Sequence, residues 1–125
     1  MHKILSVGLG GFFGATCRYI SITLTARMVG ERFFPYGTML VNMAGCFLIG
    51  LGLGIATSRE FLSPEARLFV FTGFLGSFTT YSTFAYESFA LARDGGFVAS
   101  VANIILHIVF GLTAVWAGDA VSRMM

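Results

Sequence analysis

Four long apolar runs separated by short polar connections constrain this chain more than any other feature of its sequence. They extend approximately over Ile4–Leu24, Gly37–Thr57, Arg67–Ala92 and Phe97–Val121. Each approaches the roughly 20 residues that a helix needs to cross a hydrocarbon core about 30 Å thick. The connections hold the punctuation: Arg27 to Pro35 with Glu31 and Arg32, Ser58 to Glu65 with Pro64, and Arg93-Asp94-Gly95-Gly96. Charged residues make up 11% of the 125 residues and apolar ones 56%, whereas a soluble domain uses charge for roughly a quarter of its residues. The fold class that follows is all-α integral membrane, a single domain of four transmembrane helices over residues 1–125 that lies in a lipid bilayer.

With four spans, the N-terminus, second loop and C-terminus share one side of the membrane, and the first and third loops share the other. Lys3, Arg59, Arg67 and Arg123 face Arg27, Arg32 and Arg93, so basic residues give the positive-inside rule nothing to act on. Either a weakly signalled single orientation or insertion in both orientations is compatible with that balance. The formal net charge of +2 forms no basic stripe with interleaved aromatics, which sets nucleic acid aside. Cys17 and Cys46 lie in apolar runs without metal-ligand spacing and read as small buried filler. The first run contains Arg18 and no small-residue cleavage site, so it reads as a retained span and not as a signal peptide.

Small residues recur in the first two runs, at Gly8, Gly10, Gly11, Gly14 and Ala15, then at Gly45, Gly50, Gly52 and Gly54. In lipid they allow close backbone approach between helices. A dinucleotide fingerprint is excluded, because Phe13 stands where the third glycine would be needed and no strand precedes it.

The third run is the anomaly. After Gly73-Phe74-Leu75-Gly76, six of the seven residues from Ser77 to Thr83 carry hydroxyls. Glycines followed by hydroxyl and β-branched residues favour a local break in the helix. Backbone groups freed there must be satisfied by protein, ions or water. Broken helices of this kind hold ions in transporters. The competing reading is a continuous helix whose Ser and Thr side chains bond back to their own carbonyls.

Further polar groups fall inside the other runs. Asn42 serves either as an interhelical hydrogen-bonding group or as a donor on a path, and Thr38 lies one turn before it. Asn103 and His107 share a helical face at i, i+4 spacing, with Gly111 one turn further. Arg18 and Glu87 are the ionisable groups expected to face protein or water, and they are able to pair with each other. With no nucleophile–base pair, metal cluster or phosphate loop, the chain does not read as an enzyme.

Three stretches carry a family resemblance: Gly10-Gly11-Phe12-Phe13-Gly14-Ala15-Thr16-Cys17-Arg18-Tyr19, Gly37-Thr38-x-x-Val41-Asn42-x-x-Gly45, and Gly73-Phe74-Leu75-Gly76-Ser77-Phe78-Thr79-Thr80-Tyr81-Ser82-Thr83-Phe84. In order and spacing they resemble the signature stretches of the Fluc/CrcB fluoride channels. The resemblance implies an antiparallel, dual-topology homodimer in the bacterial inner membrane, with two pathways for passive fluoride efflux that lower fluoride toxicity. It also implies a structural sodium ion, held and not transported, on the backbone carbonyls of Gly76 and Thr79. Asn42, Thr80, Ser82 and the aromatics Tyr81 and Phe84 would line the pathway, with Asn103 and His107 as fourth-run candidates. Tyr81 stands where the family often has Phe, and Asn103 and His107 where it commonly has Tyr and Ser. A proton-coupled small multidrug transporter is the alternative, but it wants an acid in the first run, where only Arg18 is found. A structural subunit without transport would leave the hydroxyl-rich break unexplained.

Overall fold

A computed structural model describes residues 1–29, 34–58 and 62–125. Arg32 and Arg59, which entered the charge balance, lie outside the described residues, as does Glu31 of the first connection. The elements in chain order are α1 (His2–Val29), α2 (Tyr36–Ser58), α3 (Pro64–Arg67), a π-helical stretch (Leu68–Leu75), α4 (Gly76–Phe78), α5 (Tyr81–Arg93) and α6 (Phe97–Ser122). No strand occurs among the described residues. Among the described residues, two helices are long and apolar enough to cross a membrane by length and composition, Tyr36–Ala56 and Phe97–Ser122.

Local chemistry accounts for most boundaries. α1 outruns the expected Leu24 because no breaker intervenes before Val29, and Arg27 in its last turn suits the negative end of the helix dipole. Ser63 caps α3 by accepting from the Ala66 N–H at 3.2 Å, with Pro64 in the first helical position. α5 closes on a turn in which Gly95 takes φ 87°, a conformation that excludes most side chains. Arg93 lies beside Asp94 in that turn at 2.8 Å. Its hydrogen bond holds the Asp94 carboxyl below its ordinary range, against the opposing pull of desolvation.

The third run is not one helix. α3, the π-helical stretch and α4 continue into one another with right-handed helical backbone at Arg67, Leu68, Leu75 and Gly76. Thr79 and Thr80 are then extended, at φ/ψ −85°/159° and −149°/110°, before α5 resumes. Eight residues of π-helix is unusual, because that geometry is mostly confined to single turns near functional sites.

Packing relies on close backbone approach. α1 lies chiefly on the π-helical stretch, α2 on α6, and α5 on α6. A Cβ added at Gly10 or Gly14 would collide with the carbonyls of Phe69 and Phe74, and one at Gly50 or Gly118 with those of Val115 and Phe47.

Burial is inverted relative to a water-soluble fold. The buried apolar residues are Val41, Ala56, Leu75 and Phe78, while the buried polar ones are Thr38, Thr80, Ser88, Ser100, Asn103 and Ser122. Large apolar side chains such as Phe12, Tyr19, Ile105 and Trp116 point outward. In water the reverse holds, and this arrangement suits a hydrocarbon solvent. Cys17, expected as buried filler, is exposed on the outer face of α1, and Cys46 is half-buried.

Candidate ion site at the helix break

The break is fastened from two sides. Asn42 of α2 accepts the Thr80 N–H on Oδ1 at 2.8 Å and donates from Nδ2 to the Thr80 carbonyl at 3.2 Å. One side-chain amide thus does for Thr80 what a neighbouring strand would do, and the opposed roles of the two backbone groups fix which end of the amide is which. From α1, Arg18 donates to the Thr79 carbonyl at 3.3 Å. The Thr79 hydroxyl bonds back to the Leu75 carbonyl at 3.1 Å, which finishes α4. Thr80 then starts α5: its Oγ1 accepts the Thr83 N–H at 3.3 Å and bonds the Thr83 hydroxyl at 2.8 Å.

The break leaves several carbonyls without their helical donors, those of Gly76 and Thr79 among them. In an uninterrupted helix the Thr80 N–H would meet the Gly76 carbonyl and the Thr83 N–H the Thr79 carbonyl. The first goes to Asn42 and the second to the Thr80 hydroxyl. Backbone carbonyls at a broken helix are the donors that suit a hard monovalent cation, so the residues present fit one. Arg18 occupies one lone pair of the Thr79 oxygen and leaves the other. A side chain at Gly76 would have room within the chain, since an added Cβ there would lie 3.7 Å from the Phe71 carbonyl, in ordinary contact.

A cavity of about 440 Å³ opens beside the break, and Asn42, Gly76, Thr79, Thr80, Tyr81, Phe84 and His107 all line it. A second, of about 340 Å³, is lined by Tyr81, Phe84, Ser88 and Ser100 among others. Tyr81 and Phe84 therefore stand between the two. Their rings are 5.7 Å apart, and Phe84 also meets the His107 ring at 4.3 Å and 37°. Tyr81 is 80% exposed on the single chain.

Other expected residues sit elsewhere. Ser82 is exposed and lines neither cavity, and Thr83 partners the Thr80 hydroxyl in its stead. Asn103 is fully buried and donates to the Ser88 hydroxyl at 2.9 Å. Ser88 in turn donates to the Phe84 carbonyl at 2.8 Å, and Ser100 donates to the Ser88 carbonyl at 2.7 Å. The Arg18–Glu87 pair is not formed, because Arg18 reaches the break while Glu87 accepts from the buried Thr38 hydroxyl at 2.7 Å. Ser88 and Ser100 were not foreseen from the sequence. Lone serines in apolar runs give no sign until α5 and α6 are seen side by side.

A family profile described as CrcB-like protein, Camphor Resistance (CrcB), matches residues 5–119. The chain belongs to the CrcB family. It is 43% identical over 121 residues to a protein of Solibacter usitatus (strain Ellin6076) named fluoride-specific ion channel FluC, covering 97% of this chain and 98% of that one. The protein of the same name from Nitratidesulfovibrio vulgaris (strain DP4) is 39% identical over 125 residues, the full length of both chains. The one from Campylobacter jejuni serotype O:23/36 (strain 81-176) is 43% identical over 122 residues, covering 94% of this chain and 95% of the relative.

Proposed function

We propose that this chain is a fluoride-selective channel and not an enzyme, that it lets fluoride leave a bacterial cell passively across the inner membrane, and that it works as an antiparallel dual-topology homodimer of four-span, single-domain subunits. The observation that carries the reading is the break at Thr79–Thr80, whose freed backbone groups, Asn42 amide and Phe84 ring border one cavity in a chain related to proteins named as fluoride channels.

Fluoride is small and strongly hydrated, so a selective path must replace its water with donors that bind without trapping. Asn42 keeps a second N–H beyond the one given to Thr80. The Thr80 O–H is directed to Thr83 and the Ser88 O–H to the Phe84 carbonyl, so each would turn from its present acceptor to meet the ion. The Phe84 ring offers its positive edge to an anion without a full charge. In this reading Tyr81 completes the aromatic wall, Asn103 serves by orienting Ser88, and Ser82 meets the partner copy or water. Arg18 braces the break, while Thr38 and Glu87 form a polar pair between α2 and α5. A sodium ion would be held by the Gly76 and Thr79 carbonyls of both copies, neutralising the inward-turned oxygens and locking the dimer. A proton-coupled transporter is disfavoured because α1 holds Arg18 and no acid in its interior.

The test is fluoride efflux from liposomes containing the purified protein, with chloride for comparison. Rapid fluoride loss with little chloride loss is expected, and equal rates would overturn selectivity. Phe84→Leu retains most of the packing but removes the ring edge, so a folded dimer with largely lost flux is expected. Flux like that of the parent would make the ring mere packing.

A further inference from the structure

We propose that His107 is a proton-dependent fluoride site: neutral, it lets the ion pass, and protonated at Nε2, it holds the ion and slows conduction. This rests on the fluoride-channel reading above. His107 Nδ1 lies 3.0 Å from the Asn103 backbone carbonyl. A carbonyl only accepts, so that contact requires the proton on Nδ1 and leaves a bare lone pair on Nε2 in the neutral ring. Nε2 is buried without a hydrogen-bond partner in the structure, as is Asn103 Oδ1 one turn earlier. The neutral arrangement thus places two unpartnered acceptors on this face of α6, beside the second N–H of the Asn103 amide. The ring lines the larger cavity and lies against Phe84, at the wall between the two cavities.

A lone pair on a ring that borders an anion's route repels it weakly and cannot bind it, and because Nε2 is itself buried the ring must turn for the ion to reach that atom. Adding a proton to Nε2 turns the same atom into an N–H donor with a full positive charge, and the Phe84 face accepts that charge through a cation–π contact. Charge-assisted hydrogen bonds are roughly twice as strong as neutral ones. Conduction needs a site that the ion leaves as readily as it enters, so a charged donor beside the route lengthens residence.

The other titratable groups on the same cavity as His107 are Cys46 of α2 and Tyr81 of α5, while Tyr36 of α2, Tyr86 and Arg93 of α5 and Asp119 of α6 line neither cavity. Glu87, further along α5, bonds Thr38. Arg18 of α1 is directed to the Thr79 carbonyl. The other histidine, His2, begins α1 and lines neither cavity.

Fluoride efflux from liposomes is measured with equal pH on both sides, from pH 8 to 5.5, and protein-free vesicles are subtracted to remove permeation of the neutral acid. The parent and His2→Gln should lose flux severalfold toward acid, and His107→Gln, a neutral donor of similar reach, should be flat across the range. The imidazole ¹⁵N resonances of the unsubstituted protein provide a readout that needs no variant. Linkage requires that fluoride raise the midpoint of His107 titration, by about one pH unit at saturation for a tenfold preference of fluoride for the protonated ring. A parent flux independent of pH or rising in acid, a pH response that survives in His107→Gln, or a midpoint unmoved by fluoride would overturn the site. Absence of fluoride flux at every pH would instead overturn the channel reading, and this inference with it.

Discussion

Replacing Asn42 by Ala removes both bonds that hold Thr80 in its extended conformation. Thr80 is 8% exposed, so its N–H and carbonyl would find little water outside the cavity that Thr80 lines. A buried group left unsatisfied costs about 1–3 kcal/mol, giving about 2–6 kcal/mol for the two. Interhelical side-chain bonds in a membrane protein average only about 0.6 kcal/mol, or about 1.2 for the pair, because the unfolded chain in lipid finds other partners. At this break, however, the neighbouring donors and acceptors are already committed to Arg18, Leu75 and Thr83. The higher range should therefore apply, and a loss of about 2 kcal/mol or more is expected. Reversible denaturation by a harsh detergent, followed through the fluorescence of the sole tryptophan, Trp116, measures it. Asn42→Asp gives a second reading. A protonated carboxyl can donate to the Thr80 carbonyl in place of the amide, whereas a carboxylate there repels it. The folded state then favours the proton, so stability should be greater in acid and be lost as pH rises through the raised folded-state pKa of the new carboxyl. An Asn42→Ala protein within about 0.5 kcal/mol of the parent, the usual scatter of such comparisons, would refute the claim that this amide holds the break.

Gly118→Ala should part α2 from α6 at the Phe47 carbonyl and lower stability by about 1–3 kcal/mol, measured in the same denaturation assay. Gly76→Ala should fold normally as a chain, its added methyl having room; if it also lowers dimer content on size exclusion, the crowding comes from the second copy. Complete removal of sodium should abolish fluoride flux in liposomes, and full flux in its absence would remove the carbonyl-bound ion. C-terminal reporter fusions should reveal both orientations in one cell population, whereas a one-sided result would eliminate the antiparallel dimer.

Composition and run length were enough to read helices in lipid, because a chain so poor in charge has few other ways to satisfy its backbone. The hydroxyl cluster after Gly76 placed the break within a few residues, since Ser and Thr compete with the helix for backbone groups and glycine does little to hold it. What fastens the break was less legible. Arg18 is 61 positions from Thr79 and Asn42 is 38 from Thr80, and a sequence gives no sign of which distant helix supplies a partner. Hence the sequence shows Arg18 and Glu87 only as able to pair, whereas each has another polar neighbour in space. The π-helical stretch was invisible for another reason: its residues, Leu68 to Leu75, have the apolar composition of any span, and its neighbour α1 is distant in sequence.

The two fastenings at the break come from different helices, Arg18 from α1 and Asn42 from α2. Sliding α1 past α2 would have to cut one of them, and swinging α5 about Thr80 would cut the other two bonds at once. The extended pair Thr79–Thr80 therefore behaves as a welded joint more than as a hinge. A conduit built around such a joint has little freedom to open and shut by moving its walls. In the channel proposed above, control of throughput would then fall to chemistry at fixed positions.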